Sequence, residues 1–153
     1  MKKHSILLLT LVVSLYGFGQ PKIKRAIAFY SESVPGMAMA DEHGNIIPPK
    51  PIIERYLLVH VPGTTHPDIR TVKYNGIFYK VTGIQKPEQA DLSRVPYKKL
   101  VGTTSWKVDL TIEDYHRDAP LQSTNIVIYG RNNGRVYSMR LYNEVKVIGP
   151  DRN

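Results

Sequence analysis

The strongest constraint on the fold is a period-two alternation of apolar and polar residues. The clearest example is residues 106–113, WKVDLTIE, in which every second residue is apolar. Because successive side chains of a β-strand point to opposite faces, this pattern predicts a strand that is buried on one side only. Similar runs rich in β-branched residues and tyrosine predict further strands at residues 26–31, 52–61, 124–130 and 137–147.

A second signal is the tetrapeptide YNGI at residues 74–77. Asn followed by Gly tolerates the positive φ angles of a two-residue type I′ turn, which predicts a β-hairpin. The turn would set Tyr74 opposite Ile77 and Val72 opposite Tyr79. The apolar residues of both strands would then share one face, so the register is consistent with a single buried side.

Turns and breaks divide the rest of the chain. Residues 32–51 are rich in Pro and Gly and predict a long loop, and residues 86–92 predict one short helical turn. Asn132-Asn133-Gly134 predicts a second hairpin turn, whose return strand is interrupted at Asn143. About eight short strands favour an all-β domain, an antiparallel β-sandwich with an immunoglobulin-like or related Greek-key layout. A small β-barrel is the alternative, and Trp106 is expected in the core.

Residues 1–19 have the features of a cleavable secretory signal peptide. The stretch opens with two lysines after the initial Met, continues as an apolar run over residues 6–16, and ends in Gly17 and Gly19. This run is shorter than the roughly 18 apolar residues that a membrane span needs, so we expect no anchor after cleavage. We predict a single exported β domain, residues 20–153, in the periplasm or the extracellular space.

Composition narrows the function classes. The chain has 153 residues and no cysteine, which excludes disulfides and cysteine chemistry and leaves stability to an apolar core. Its formal net charge of +8 at pH 7 suits an acidic partner if the charge gathers on one face. The sequence carries no nucleic-acid-binding signature and no Gly-x-Ser-x-Gly elbow, so we expect neither a nucleic-acid partner nor a serine nucleophile.

Two groups of residues are candidates for metal binding. Imidazole and carboxylate groups in two loops would suit a divalent metal or acid–base chemistry: His66, Asp68, Asp114, His116 and Asp118. Thioether and imidazole groups in the Pro-rich loop would suit Cu(I): Met37, Met39 and His43. Polar residues collect in ordinary loops, and methionines also pack loops onto cores. A metal-binding protein or metal-dependent hydrolase is therefore our alternative hypothesis.

Tyrosines carry the leading hypothesis. Those expected to be exposed are Tyr56, Tyr97, Tyr115 and Tyr142. A flat ring with one hydroxyl suits sugar stacking and protein contacts, although tyrosines on sheets also pair across strands. His60 shares a predicted strand face with Tyr56 and is expected at the surface. We therefore expect a non-catalytic module that binds an envelope protein or a glycan and needs no cofactor.

Overall fold

The computed structural model describes residues 23–34, 36, 38–93, 98, 100–113 and 118–147. Within these ranges the regular secondary structure is almost entirely β, which confirms the predicted all-β class. The elements are β1 (Arg25–Ser33), β2 (Met39–Ala40), β3 (Ile46–Ile47), β4 (Ile52–Pro62), β5 (Asp68–Tyr74), β6 (Ile77–Gln85), α1 (Gln89–Ser93), β7 (Thr103–Ile112), β8 (Ile126–Asn132), β9 (Arg135–Leu141) and β10 (Glu144–Val147).

Eight strands form one sheet, in the order β10-β1-β4-β7-β6-β5-β8-β9, which curls into a half-barrel. Its pairs are antiparallel except for β1 and β10, which run parallel with Ala28 beside Glu144. The sheet is thus mixed, whereas we expected purely antiparallel pairing. Alternation predicts that a stretch is a strand, but it does not specify the direction of the neighbouring strand.

The chain itself brings the two edges of the sheet together. Strand β9 ends at Leu141 on one edge, and β10 begins at Glu144 on the other. Three Cα–Cα steps can span only about 10 Å, so the two edges must approach one another at this junction. The interruption predicted at Asn143 is the point where the chain crosses from one edge to the other.

Both predicted hairpin turns are present. Tyr74 pairs with Ile77 and Val72 with Tyr79, which confirms the register expected from the sequence. At the first turn, Asn75 has a φ of 45° and Gly76 a φ of 97°. The β8–β9 turn has the same left-handed backbone at residues 133 and 134, with φ values of 50° and 76°. Asn and Gly adopt such angles at little cost, so the local sequence determines both turns.

The apolar core lies on the concave face of the sheet. Alternation along β4 turns Leu57, Val59 and Val61 inward, and strands β5 and β8 add Val72 and Ile128. Partly buried Trp106 packs against this cluster, at the border of the core rather than in its centre. On the opposite face, a smaller apolar cluster contains Phe29, Leu58 and Val147, with Leu92 of α1 packed on it.

The predicted loop at residues 32–51 contains a small hairpin made by β2 and β3. Its turn is held by the carboxylate of Asp41, which accepts the backbone N–H groups of His43 at 2.9 Å and Asn45 at 2.8 Å. Helix α1 lies in the region of the predicted helical turn. The described part of the chain contains no helix long and apolar enough to cross a membrane.

His60 corrects one expectation from the sequence. It lies on the outer face of β4, where we predicted a surface residue, yet the structure buries it completely. Strands β1 and β7 flank β4 on both sides, and the Oγ atom of Ser105 lies 3.4 Å from His60 Nδ1. Burial, together with the nearby charge of Arg25, lowers the pKa of His60.

Candidate functional site

The two ends of the half-barrel differ in chemistry. At one end, which we term the mouth end, β4 and β8 finish and β1, β5 and β9 begin. At the other, the far end, β4 starts beside the end of β1, and the β5–β6 hairpin turns. Polar side chains gather inside both ends, with the apolar core between them.

A cleft of about 330 Å³ opens at the mouth end. It lies between the segment that leads into β5 and the turn that joins β8 to β9. We name it the mouth cleft, and its polar and aromatic lining includes Thr65, His66, Asp68, Arg70, Arg131 and Tyr137. Its size is at the lower end of the range for small-molecule sites.

One arginine in the mouth cleft is neutralised and another is free to bind a ligand. Asp68 occupies a position paired with Arg131, but its carboxylate binds Arg70 instead, with Nε 2.5 Å from Oδ1 and Nη2 3.0 Å from Oδ2. A bulge in β5 at Arg70 accompanies this contact. The exposed side chain of Arg131 makes no ion pair or hydrogen bond with the described residues. It is therefore available to an external anion.

Tyr137 packs across Gly130 to form the inner wall of the mouth cleft. A Cβ atom at Gly130 would lie 2.5 Å from the Tyr137 hydroxyl oxygen and would also clash with the carbonyl oxygen of Asp68. Glycine at this position thus lets the ring lie across β8. Burial, together with the negative charge of Asp68, raises the pKa of Tyr137 to about 12. The hydroxyl stays protonated at neutral pH and can donate a hydrogen bond.

His66 is oriented by two contacts. Its ring meets the ring of Trp106 edge-on, with 4.7 Å between centroids, and its Nδ1 atom lies 3.0 Å from the carbonyl oxygen of Pro67. A carbonyl oxygen only accepts, so Nδ1 carries the proton in this contact. In this tautomer Nε2 is the acceptor, so it can receive a hydrogen bond from a ligand hydroxyl.

Positive charge surrounds the mouth cleft. Lys24 and Arg25 lie beside the end of β4. The backbone N–H of Lys24 donates to the carbonyl oxygen of His60 at 2.8 Å, and Arg25 is the cross-strand partner of His60. Arg135 faces Asn132 across the β8–β9 turn. Together with Arg131, these residues give the mouth end an excess of basic over acidic side chains, which favours anions.

The far end contains a buried polar group that we name the Arg55 network. Arg55 points inward from β4, and each of its five N–H donors has an acceptor, which saturates the guanidinium. The acceptors are Glu144 Oε1 (2.9 Å), the Tyr79 hydroxyl (2.7 Å), Asp118 Oδ1 (2.5 Å), and the carbonyl oxygens of Ala119 (3.0 Å) and Pro120 (3.1 Å).

Neighbouring groups complete the Arg55 network. The Arg55 guanidinium lies 5.2 Å and 5.4 Å from the ring centres of Tyr74 and Tyr79, and the Tyr79 hydroxyl donates to Asp118. Burial raises the pKa of Glu144 although Arg55 opposes this shift, and burial raises the pKa of Tyr79 to about 12. Because the cation is fully paired, this network joins parts of the fold and offers little to a ligand.

The candidate metal ligands lie in three different places. His66 and Asp68 share the mouth cleft, Asp118 belongs to the Arg55 network, and Met39 and His43 lie on the β2–β3 hairpin. The described residues contain no group of three or more His, Cys, Asp or Glu side chains that could hold a metal ion. The remaining candidates, Met37, Asp114 and His116, lie outside the described residues.

Of the four candidate binding tyrosines, the two among the described residues, Tyr56 and Tyr142, do not line the mouth cleft. Tyr56 is partly buried, stacked on Phe29 at 5.3 Å between centroids, with the Lys107 ammonium 5.0 Å from its ring centre. Tyr142 is exposed at the junction between β9 and β10. The other two candidates, Tyr97 and Tyr115, lie outside the described residues.

The most informative residues of the mouth cleft were not singled out in the sequence. The sequence predicts a hairpin turn at residues 132–134, which the structure confirms, but that interpretation assigns no role to Arg131 just before it. A basic residue immediately before a turn was the available signal. The free state of its side chain depends on the pairing of Asp68 with Arg70, which lie on the neighbouring strand β5.

No family model matches the chain, and neither a curated protein nor a solved structure matches it. We therefore infer function from the geometry and charge of the mouth cleft.

Proposed function

We propose that the protein is an exported, non-catalytic module that binds an acidic glycan of the cell envelope in the mouth cleft. The observation that carries this proposal is the free guanidinium of Arg131 in an open cleft whose one described carboxylate, Asp68, is already paired. A guanidinium presents two parallel N–H donors that match the two oxygens of a carboxylate or sulfate group.

The other lining groups suit a sugar. The Tyr137 hydroxyl can donate, the Nε2 atom of His66 can accept, and Thr65 supplies a further hydroxyl. A charged sugar ring carries one anionic group among several hydroxyls, which is the complement of one free cation among neutral polar groups. The predicted signal peptide would deliver the chain to the compartment where such glycans occur.

Catalysis has less support from the same residues. A general base needs a carboxylate or imidazole free to take a proton, and the Asp68 carboxylate is held by two contacts with Arg70. His66 packs on Trp106 without a described carboxylate partner. We therefore assign these groups to ligand recognition.

Isothermal titration calorimetry with a heparin octasaccharide tests the proposal, with maltohexaose as the uncharged comparison. We expect the purified protein to bind the octasaccharide in about 0.1 M salt and to lose most affinity near 1 M. The Debye length falls from about 10 Å to about 3 Å over that range, so the attraction is screened. Maltohexaose should bind much more weakly.

Two arginine variants locate the binding. Arg131→Gln should weaken heparin affinity by about 10- to 100-fold, the effect of losing a charged hydrogen bond. Arg140→Gln removes the same charge from an exposed position of β9 that is paired with Val127, away from the mouth end, and should bind as the wild type does. Absence of heparin binding in low salt, or equal losses in both variants, would exclude a glycan site in the mouth cleft.

A further inference from the structure

The β2–β3 hairpin, which we name the arm (residues 39–47), presents apolar side chains to solvent. Met39 and Ile46 are 74% and 76% exposed, although both belong to strands. The Asn45 side chain donates to Asp41 at 2.9 Å, which adds to the two backbone contacts that fix the turn. The arm therefore has a defined shape before it meets any partner.

The tip of the arm is acidic. Asp41 and Glu42 begin the turn, and the side-chain hydrogen bond from Asn45 lowers the pKa of Asp41, so its carboxylate remains charged. Glu42 is exposed next to it. The arm thus combines a negative tip with apolar flanks.

The arm and the mouth cleft lie at opposite ends of the half-barrel. Strand β1 starts at the mouth end, where Arg25 is paired with His60, and finishes at the far end, where Ser33 is paired with Ile52. The arm lies in the segment of the chain between these far-end termini of β1 and β4. It therefore extends from the end that is remote from the mouth cleft.

The mouth end has the opposite charge and a similar apolar character. Val101 lies in the turn before β7 and is 97% exposed. This turn belongs to the mouth end, because the backbone N–H of Gly63, just after β4, donates to the carbonyl oxygen of Gly102. Val136 is 68% exposed and follows Arg135 on β9. Exposed valines thus lie among the basic residues around the mouth cleft.

We propose that the arm of one copy docks on the mouth end of a second copy, so that chains of this protein associate head to tail. The acidic tip would approach Arg131, while Met39 and Ile46 would cover the exposed valines of the mouth end. Apolar contacts with surrounding complementary charges are the usual anatomy of a specific interface. Because the two surfaces differ and lie at opposite ends, each added copy leaves one of each surface open for another.

This association goes beyond glycan binding but uses the same cleft. An acidic glycan and the tip of an arm would compete for Arg131, so a bound glycan should shorten the chains of subunits. The apolar residues of the arm are not required for glycan binding, which lets one variant separate the two proposals.

Sedimentation velocity in low salt, with two complementary variants, tests head-to-tail association. The arm variant Met39→Ser/Ile46→Ser lacks the apolar flanks, and the mouth variant Arg131→Glu reverses the free cation. Wild-type protein should form larger species as its concentration rises, whereas each variant alone should remain a monomer. An equal mixture should form one-to-one dimers, in which the intact arm of the mouth variant docks on the intact mouth end of the arm variant. These dimers should grow no further, because the arm and the mouth end that remain unoccupied both carry the substitutions.

The control is Arg140→Glu, which carries the same charge change outside both surfaces and should associate as the wild type does. Wild-type protein that stays monomeric up to millimolar concentration, or a mixture that forms no dimer, would overturn the proposal. Heparin binding by the arm variant reports on the glycan site separately. If the mixed dimer forms but heparin does not bind, glycan binding fails and arm docking stands.

Discussion

The two ends of the half-barrel use the same kind of ion pair in different surroundings. In the Arg55 network, the side chains of Arg55 and Glu144 are 1% and 0% exposed, whereas at the mouth end those of Arg70 and Asp68 are 64% and 43% exposed. The buried pair is saturated by neighbouring acceptors and joins β4 to β10. The exposed pair neutralises Asp68 and leaves Arg131 free. The buried Arg55 therefore supports the fold, whereas the exposed Arg131 can bind a ligand.

The largest predicted effect comes from breaking the buried pair. Arg55→Met should lower the free energy of unfolding by about 3–5 kcal/mol, because Glu144 would remain buried without its cation. Arg70→Met is the matched change at the mouth end and should cost less than about 1 kcal/mol, as expected for an exposed pair. Urea denaturation followed by circular dichroism measures both losses.

Equal losses in these two variants would contradict the contrast between the ends. If Arg55→Met does not fold, Glu144→Gln gives a milder measurement, since a neutral amide can still accept from Arg55 Nε. That variant should unfold at a lower urea concentration than Arg70→Met.

The next largest effect tests the packing of Tyr137 against β8. Gly130→Ala should cost about 1–3 kcal/mol, as overpacking does, because the new methyl group would overlap the Tyr137 hydroxyl. Gly83→Ala is the control, since its Cβ would lie 3.4 Å from a flexible carboxylate oxygen of Asp109. Thermal unfolding should show a clear loss for Gly130→Ala and little change for the control. Similar melting temperatures for both would refute the proposed packing.

A smaller effect concerns the contribution of His60, near the mouth end, to the pH dependence of the free energy of unfolding. The pKa of His60 is lowered in the folded protein, so the unfolded chain binds the proton more tightly. Stability that is present above about pH 6.5 should therefore fall as the pH drops through the lower folded value. Glu144 at the far end has a raised pKa and contributes with the opposite sign.

Unfolding free energies of the wild type and His60→Gln between pH 5 and 8 separate this contribution from those of the carboxylates. The difference between the two proteins should shrink as the pH falls, because only the wild type has an imidazole to protonate on unfolding. A difference that stays constant over this range would show that His60 contributes nothing to the pH dependence.

Local sequence patterns predicted the parts of the fold that depend on local geometry. Alternation and the Asn75-Gly76 pair predicted the register of the β5–β6 hairpin, and the interruption at Asn143 located the crossing between the edges. Those patterns could not predict that β10 pairs in parallel with β1, because that contact joins segments more than a hundred residues apart.

The Arg55 network and the mouth cleft were beyond sequence patterns for a related reason. Arg55 shares the inward face of β4 with Leu57, yet the partner that neutralises it, Glu144, lies 89 residues away. Likewise, the free state of Arg131 follows from the local contact between Asp68 and Arg70 on another strand. Charge compensation of this kind depends on the assembled sheet.

Chemical-shift mapping with a heparin octasaccharide tests the central claim, that the mouth cleft binds an anionic ligand. In ¹⁵N-correlated NMR spectra, we predict that the largest amide shifts will occur at residues 65–70 and 131–134, with the amides around Arg55 and Ala119 unchanged. Shifts concentrated at the far end, or spread evenly over the basic surface, would contradict the assignment of the mouth cleft as the binding site.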